Sequence, residues 1–183
     1  MLEDKEALRR HYRAVRRGLS VNIPTHHFFD SDISAAPSEI IAGYFPVAGE
    51  ASPLNILSEA AQKGHQTALP VINGDQKILQ FFLWGDGQAL SNNYLNIPEP
   101  VHKMSISPDI IIVPLLAFDK HGTRLGQGGG YYDATIAHLR REKYIKVIGL
   151  AFDEQEAENA LPRETHDQAL DWIITPSRVI AFK

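Results

Sequence analysis

Between Arg124 and Asp133 the chain reads RLGQGGGYYD, with four glycines in five positions, then two tyrosines and an aspartate. Glycine this dense weakens any helix or strand built from it. What such a run can gain is close approach. Main-chain amides without side chains around them, free to adopt φ > 0, can cradle an anion such as phosphate. A flexible turn or a crowded packing position would account for the same glycines, and the run alone does not separate these readings. Established nucleotide motifs do not fit it. No G-x-x-x-x-G-K-[ST] stretch occurs, and GQGGGY departs from G-x-G-x-x-G at its sixth position, where Tyr131 stands.

The flanking elements give the run a setting. DIIIVPLLAF is the clearest buried strand, and after a loop the glycines open a helix expected from about Gly130 to Glu142. Earlier in the chain, residues from about Leu2 to Leu19 read as a helix. Leu8, Tyr12, Val15 and Leu19 fall on one face, and Lys5, Arg9, Arg13 and Arg16 form a stripe roughly 85° around from it. If the apolar face packs inward, the basic stripe lies at a rim and can lean over a groove; a solvated charged face is the plainer reading. EIIAGYFP reads as a strand. SPLNILSEAAQKGH reads as a helix with Ser52 at its N-cap, Pro53 in its first turn and Gly64 as its stop. TALPVI, KILQFFLW, KVIGLAF, LDWIIT and RVIAF read as further strands, and the Pro/Asn-rich stretch from Ser91 to Pro108 as a loop. Strands alternating with helices predict an α/β fold: a three-layer, Rossmann-like arrangement with a largely parallel central sheet covered on both faces. A single domain over residues 1–183 is expected. In such sheets ligands gather beyond the carboxyl ends of the strands, where a helix N-terminus presents unpaired N–H groups. Composition and spacing therefore reach as far as an anion site on an α/β domain.

Composition narrows the classes. The chain has 44% hydrophobic and 22% charged residues, an ordinary globular mixture. It has no cysteine, which excludes disulfides, a thiolate nucleophile and a Cys-ligated zinc site. A net charge of −4 is not that of a basic nucleic-acid binder. No apolar run approaches the ~18 residues a membrane span requires, and the start lacks the apolar stretch of a secretory signal. Glu3, Asp4 and Glu6 argue against a mitochondrial presequence. A cytoplasmic monomer with neither nucleic acid nor membrane as partner is expected. The histidines show no metal-ligand spacing and are read as non-metal.

PLLAFDKHGTRLGQGGGYYD closely resembles the hallmark segment of the 5-formyltetrahydrofolate cyclo-ligase (5,10-methenyltetrahydrofolate synthetase) family. KEALRRHYRAVRRGLS is similar to that family's N-terminal Lys-x-x-x-Arg helix, YFPVAGE to its strand and substrate-contacting glutamate, and NIPEP and ETHDQALDWIIT to later blocks. The resemblance runs along essentially the whole chain in the right order. It implies ATP-dependent cyclisation of 5-formyltetrahydrofolate to 5,10-methenyltetrahydrofolate, through a phosphorylated formyl group, with release of ADP and phosphate. ATP is then a co-substrate, reduced folate the other small-molecule partner, and Mg²⁺ the cofactor. A non-catalytic nucleotide- or folate-binding regulator, or the same activation of another N-formyl substrate, are the alternatives.

Carried over position by position, the resemblance implies phosphate contacts from Lys5 and Arg9 and a phosphate loop of Arg124, Gly126, Gln127, Gly128, Gly129 and Gly130, with Tyr131 and Tyr132 at the nucleotide. Arg124 and Asp133 would act in catalysis. Asp133 and Asp167 would hold Mg²⁺, although a carboxylate near a helix N-terminus is also favoured for itself. Glu50 would bind folate, since one carboxylate accepts a pterin's adjacent ring N–H and amino donors together. Phe45 and Tyr132 would form apolar walls, with core packing the other reading for Tyr132. Trp84 is read as core, and Asp171 as a structural partner at the last strands. Gln127 and Gly129 stand where the family often has Arg and Lys, and ASP follows Glu50 without the family's usual acid or threonine.

Overall fold

The computed structural model describes residues 4–33, 36–74 and 76–182. Leu2 and Glu3, which the sequence places at the start of the first helix, lie outside them. The helices are α1 (Lys5–Arg16), α2 (His26–Phe29), α3 (Leu54–Gln62) and α4 (Tyr131–Glu142). Seven strands form the main sheet: β1 (Ile41–Ala42), β2 (Thr67–Val71), β3 (Gln80–Leu83), β6 (Ile110–Pro114), β9 (Lys146–Leu150), β10 (Trp172–Ile174) and β11 (Val179–Ala181). Two small hairpins, β4 (Leu90–Asn92) with β5 (Pro98–Pro100) and β7 (Ala117–Phe118) with β8 (Arg124–Leu125), stand apart from it.

The strand order is β11-β10-β9-β6-β1-β2-β3. All pairings between β10 and β2 are parallel, and only the outermost pairs, β10–β11 and β2–β3, are antiparallel. β6 shows why the sheet needs two covering layers. Its residues alternate in direction, and both sets are buried. Ile110 and Ile112 join one core with Ile56, Leu57 and Ala60 of α3 and with Phe28 of α2. Ile111 and Val113 join a second core with Ile136 and Leu139 of α4. A third, smaller cluster docks Leu8 and Tyr12 of α1 against Leu116, Ala117 and Leu125 of the β7–β8 hairpin. The first helix is thereby fixed at the end of β6, beside the glycine run.

Several expectations shift in detail. Pro53, rather than Ser52, occupies the N-cap of α3, while Ser52 Oγ still accepts from Leu54 N–H at 3.3 Å. Gly64 N–H donates to Ala61 O and His65 N–H to Ala60 O, closing the end of α3. The stretch predicted as a loop contains the β4–β5 hairpin, despite two prolines in β5. Asn93 N–H donates to Ile97 O and Val101 N–H to Ala89 O, so Pro98 and Pro100 fall opposite Asn92 and Leu90 at pairs that need no N–H. The basic stripe of α1 divides: Lys5, Arg9 and Arg13 reach toward the glycine loop and its acids, but Arg16 is buried rather than placed at a rim. Trp84 is core, and Asp171 accepts from Arg140 and from Val147 N–H.

Candidate active site

β1 runs on one side to β2 and on the other to β6, so the chain changes direction in the sheet between β1 and β6. The carboxyl ends of strands at such a switch point leave a crevice. Here it is a cavity of about 510 Å³, lined by Tyr44 and Phe45 beyond β1, Ile72 beyond β2, and Pro114 and Leu115 at the end of β6. Every residue the sequence named for the site lines this one cavity: Lys5, Arg9, Phe45, Glu50, Arg124, Gly126, Gln127, Gly128, Gly129, Gly130, Tyr131, Tyr132, Asp133 and Asp167.

At one end lies the glycine loop. Gly130 caps α4 with φ 72° and Gly128 has φ 103°, both left-handed values that L side chains rarely adopt. Gly128 also faces α1 closely, since a Cβ there would lie 3.3 Å from Arg9 Cζ. Arg9 Nε donates to Gly126 O at 3.0 Å, and Arg13 Nε to Gln127 Oε1 at 3.0 Å. The loop thus gathers cations from α1. At Gly129, where the family often has a basic side chain, a Cβ would come within 2.9 Å of the Tyr131 ring, so any side chain requires that ring to move. Lys77 stands at the mouth of the loop, its Nζ 3.6 Å from where a Cβ on Gly130 would be. No motif marked Lys77; it arrives through the β2–β3 connection.

The acids adjoin the loop. Asp133 Oδ1 accepts from Arg124 at 2.8 Å and from Gln168 N–H at 2.9 Å, while Arg124 also donates to Gln168 O. Burial pulls the Arg124 guanidinium below its ordinary range, against the opposing pull of Asp133 and Asp167. Lys5 Nζ lies 2.8 Å from Asp167 Oδ2 and 3.1 Å from Glu164 Oε1. Burial would raise the Asp167 carboxyl, but the Glu164 N–H, Lys5 and His166 outweigh it and hold the group below the usual range. His166 belongs to the same cluster: Glu164, His166 and Asp167 each offer one ligand atom, all within 4.8 Å of one another. That grouping qualifies the reading of the histidines as non-metal, and a Glu-x-His-Asp string was its only trace in the sequence.

At the other end sits Glu50. Its side chain is 7% exposed, and Oε2 accepts from Val47 N–H at 3.0 Å. Burial raises the Glu50 carboxyl above the usual range, opposed by that N–H and by Arg16. Tyr44 and Tyr132 flank it, both with phenols pushed up by burial and by the Glu50 charge. Tyr132 both packs on the α4-side core and lines the cavity. Leu95, Ile97 and Pro98 of the β4–β5 hairpin add an apolar wall that the sequence left as loop.

A doubly wound α/β sheet with an amide-rich, cation-bearing loop at its switch point and a buried carboxylate across the same cavity is an architecture that receives small-molecule ligands at that crevice. A sequence profile of the 5-formyltetrahydrofolate cyclo-ligase family matches residues 3–176, and the chain belongs to that family. The 5-formyltetrahydrofolate cyclo-ligase of Haemophilus influenzae is 36% identical over 71% of this chain and 72% of its own length. That of Escherichia coli is 33% identical over 76% of this chain and 79% of its own. Among solved structures, Aquifex aeolicus 5,10-methenyltetrahydrofolate synthetase superposes with a TM-score of 0.75 at 26% identity, covering 98% of this chain and 93% of that one. Among the described residues no helix is long and apolar enough to cross a membrane.

Proposed function

We propose that the protein closes 5-formyltetrahydrofolate to 5,10-methenyltetrahydrofolate with consumption of ATP. The observation that carries this reading is one shared cavity, in a member of this family, with a phosphate-type loop at one end and a buried carboxylate at the other. The formyl oxygen attacks the γ-phosphorus of ATP; an O–P bond forms, the bridging bond to the β-phosphate breaks, and ADP leaves. N10 then attacks the activated carbon, its proton is lost, and phosphate departs with the former formyl oxygen. Such chemistry asks the protein for positioning and charge compensation rather than a nucleophile, which suits a chain with no cysteine.

In this reading the amides of Gly126–Gly130 cradle the phosphates, and Arg9, Arg13 and Lys77 supply the positive charge that Gln127 and Gly129 do not. Arg124 orients Asp133. Glu50 accepts the pterin's paired donors between Phe45 and Tyr132. Glu164 and Asp167, grouped with His166, offer hard oxygen donors that would suit Mg²⁺, which when bound there would neutralise phosphate charge; Asp133 lines the same cavity with its Oδ1 held by Arg124 and Gln168 N–H. Lys5 now pairs with Glu164 and Asp167, so a bound phosphate competes for its ammonium. Incubation with ATP, Mg²⁺ and 5-formyltetrahydrofolate tests the proposal through methenyl absorbance. Product is expected only when nucleotide and divalent metal are both present; equal product without ATP would eliminate this chemistry.

A further inference from the structure

Arg16 is buried to 3% exposure, yet its Nε has no hydrogen-bond partner among the described residues. A long apolar residue would fill that space without stranding a donor, so packing alone does not explain a guanidinium here. Its other nitrogens show what it holds. NH2 donates to Ala48 O at 2.9 Å, NH1 to Leu115 O at 3.4 Å beyond the end of β6, and NH1 stands 3.8 Å from Glu50 Oε1.

Ala48 and Gly49 are the central residues of the turn that presents Glu50. Both have positive φ, 50° and 76°, and Glu50 N–H returns to Val47 O at 3.1 Å, the pattern of a type I′ turn. Alanine rarely adopts that conformation, so the surroundings must impose it. The guanidinium grips the turn at Ala48 O from inside the protein and faces the carboxylate that the turn carries.

We infer that Arg16 is a positioning residue for Glu50, which locks the Val47–Glu50 turn to the end of β6 and keeps the carboxylate ionised for the pterin. The inference rests on the reading of Glu50 as the folate acceptor. Arg16 thereby parts from Lys5, Arg9 and Arg13 on the same helix, which serve the opposite end of the cavity. The groups facing Glu50 are Arg16 from α1, Tyr44 beyond β1 and Tyr132 from α4; of these only Arg16 stabilises its negative charge.

The test titrates 5-formyltetrahydrofolate and ATP separately by calorimetry, across acid to neutral pH, into wild type, Arg16→Met, Arg16→Lys and Glu50→Gln. Folate binding fails as pH falls and Glu50 takes up a proton. Without the guanidinium that failure moves to higher pH. Arg16→Met is expected to weaken folate about tenfold to a hundredfold, shift the profile upward and leave ATP unchanged. Arg16→Lys restores the profile but not the affinity, because an ammonium cannot span Ala48 O, Leu115 O and Glu50 together; it decides alone if the methionine variant does not fold. Wild-type folate affinity in the variants that fold, or parallel loss of folate and ATP, would overturn the inference. If Glu50→Gln leaves folate binding intact, the Glu50 assignment falls and this inference with it. If Glu50→Gln weakens folate and Arg16→Met does not, the inference alone falls.

Discussion

At the glycine end of the cavity, cations reach in from the side: Arg9 through Gly126 O, Arg13 through Gln127, Lys5 through Asp167 and Glu164. At the Glu50 end the charges lie inside: Glu50 and Arg16 are both buried, and the turn between them has two left-handed residues. Partly exposed ion pairs are weak and rearrange at little cost. Buried ones are fixed, and removing one partner strands the other. An end whose ligand arrives and leaves with its own large charge can be built the first way. An end that must distinguish one ring system needs the second, because specificity comes from groups that cannot relax when the wrong ligand binds.

Arg124→Ala probes whether the loop end is as adaptable as that contrast says, and has the largest expected effect. Arg124 is the exception there, buried between Asp133 and Gln168 O. Its loss should cost about 3–5 kcal/mol of stability, read by denaturant unfolding, and should depress ATP kinetics; unchanged unfolding would mean that burial is not what separates fixed charges from adaptable ones in this cavity. Gly128→Ala tests the loop's backbone. The methyl group meets both a left-handed φ and the Arg9 guanidinium, so ATP should bind about tenfold more weakly, a cost of ~1–2 kcal/mol, with folate affinity preserved. The smallest effects are in stability against pH. The lowered Asp167 carboxyl gives stability that is present above the ordinary carboxylate range and lost as pH falls through its folded value. The raised Glu50 carboxyl acts with opposite sign: its contribution is present at acid pH and lost as pH rises through its folded value. Melting curves of Asp167→Asn and Glu50→Gln should each lose one of these slopes, Asp167→Asn at the acid limit and Glu50→Gln above it.

Much of this was legible in the chain because the signals are local. The apolar run of β6 has both alternating sets buried, and the glycine run opens α4 where the helix period begins. The resemblance named residues that the fold brings to one cavity. What was missed depends on depth and on long-range approach. Lys5, Arg9, Arg13 and Arg16 share one stripe, and helical spacing cannot tell which of them sinks into the core. Lys77 reaches the loop only through the pairing of β2 with β3. The β4–β5 hairpin was hidden because its prolines argue against a strand unless their pairing positions are known. The clash at Gly129 comes from the rotamer of Tyr131, which no spacing encodes.

The division of labour itself is tested most directly by a crossed titration: ATP and 5-formyltetrahydrofolate, each alone, into Arg9→Ala and Glu50→Gln. Arg9→Ala should weaken ATP by about tenfold or more, the scale of one lost charged contact, and leave folate at wild-type affinity. Glu50→Gln should do the reverse. If both variants weaken both ligands alike, the cavity does not have two separately built ends and the account is wrong.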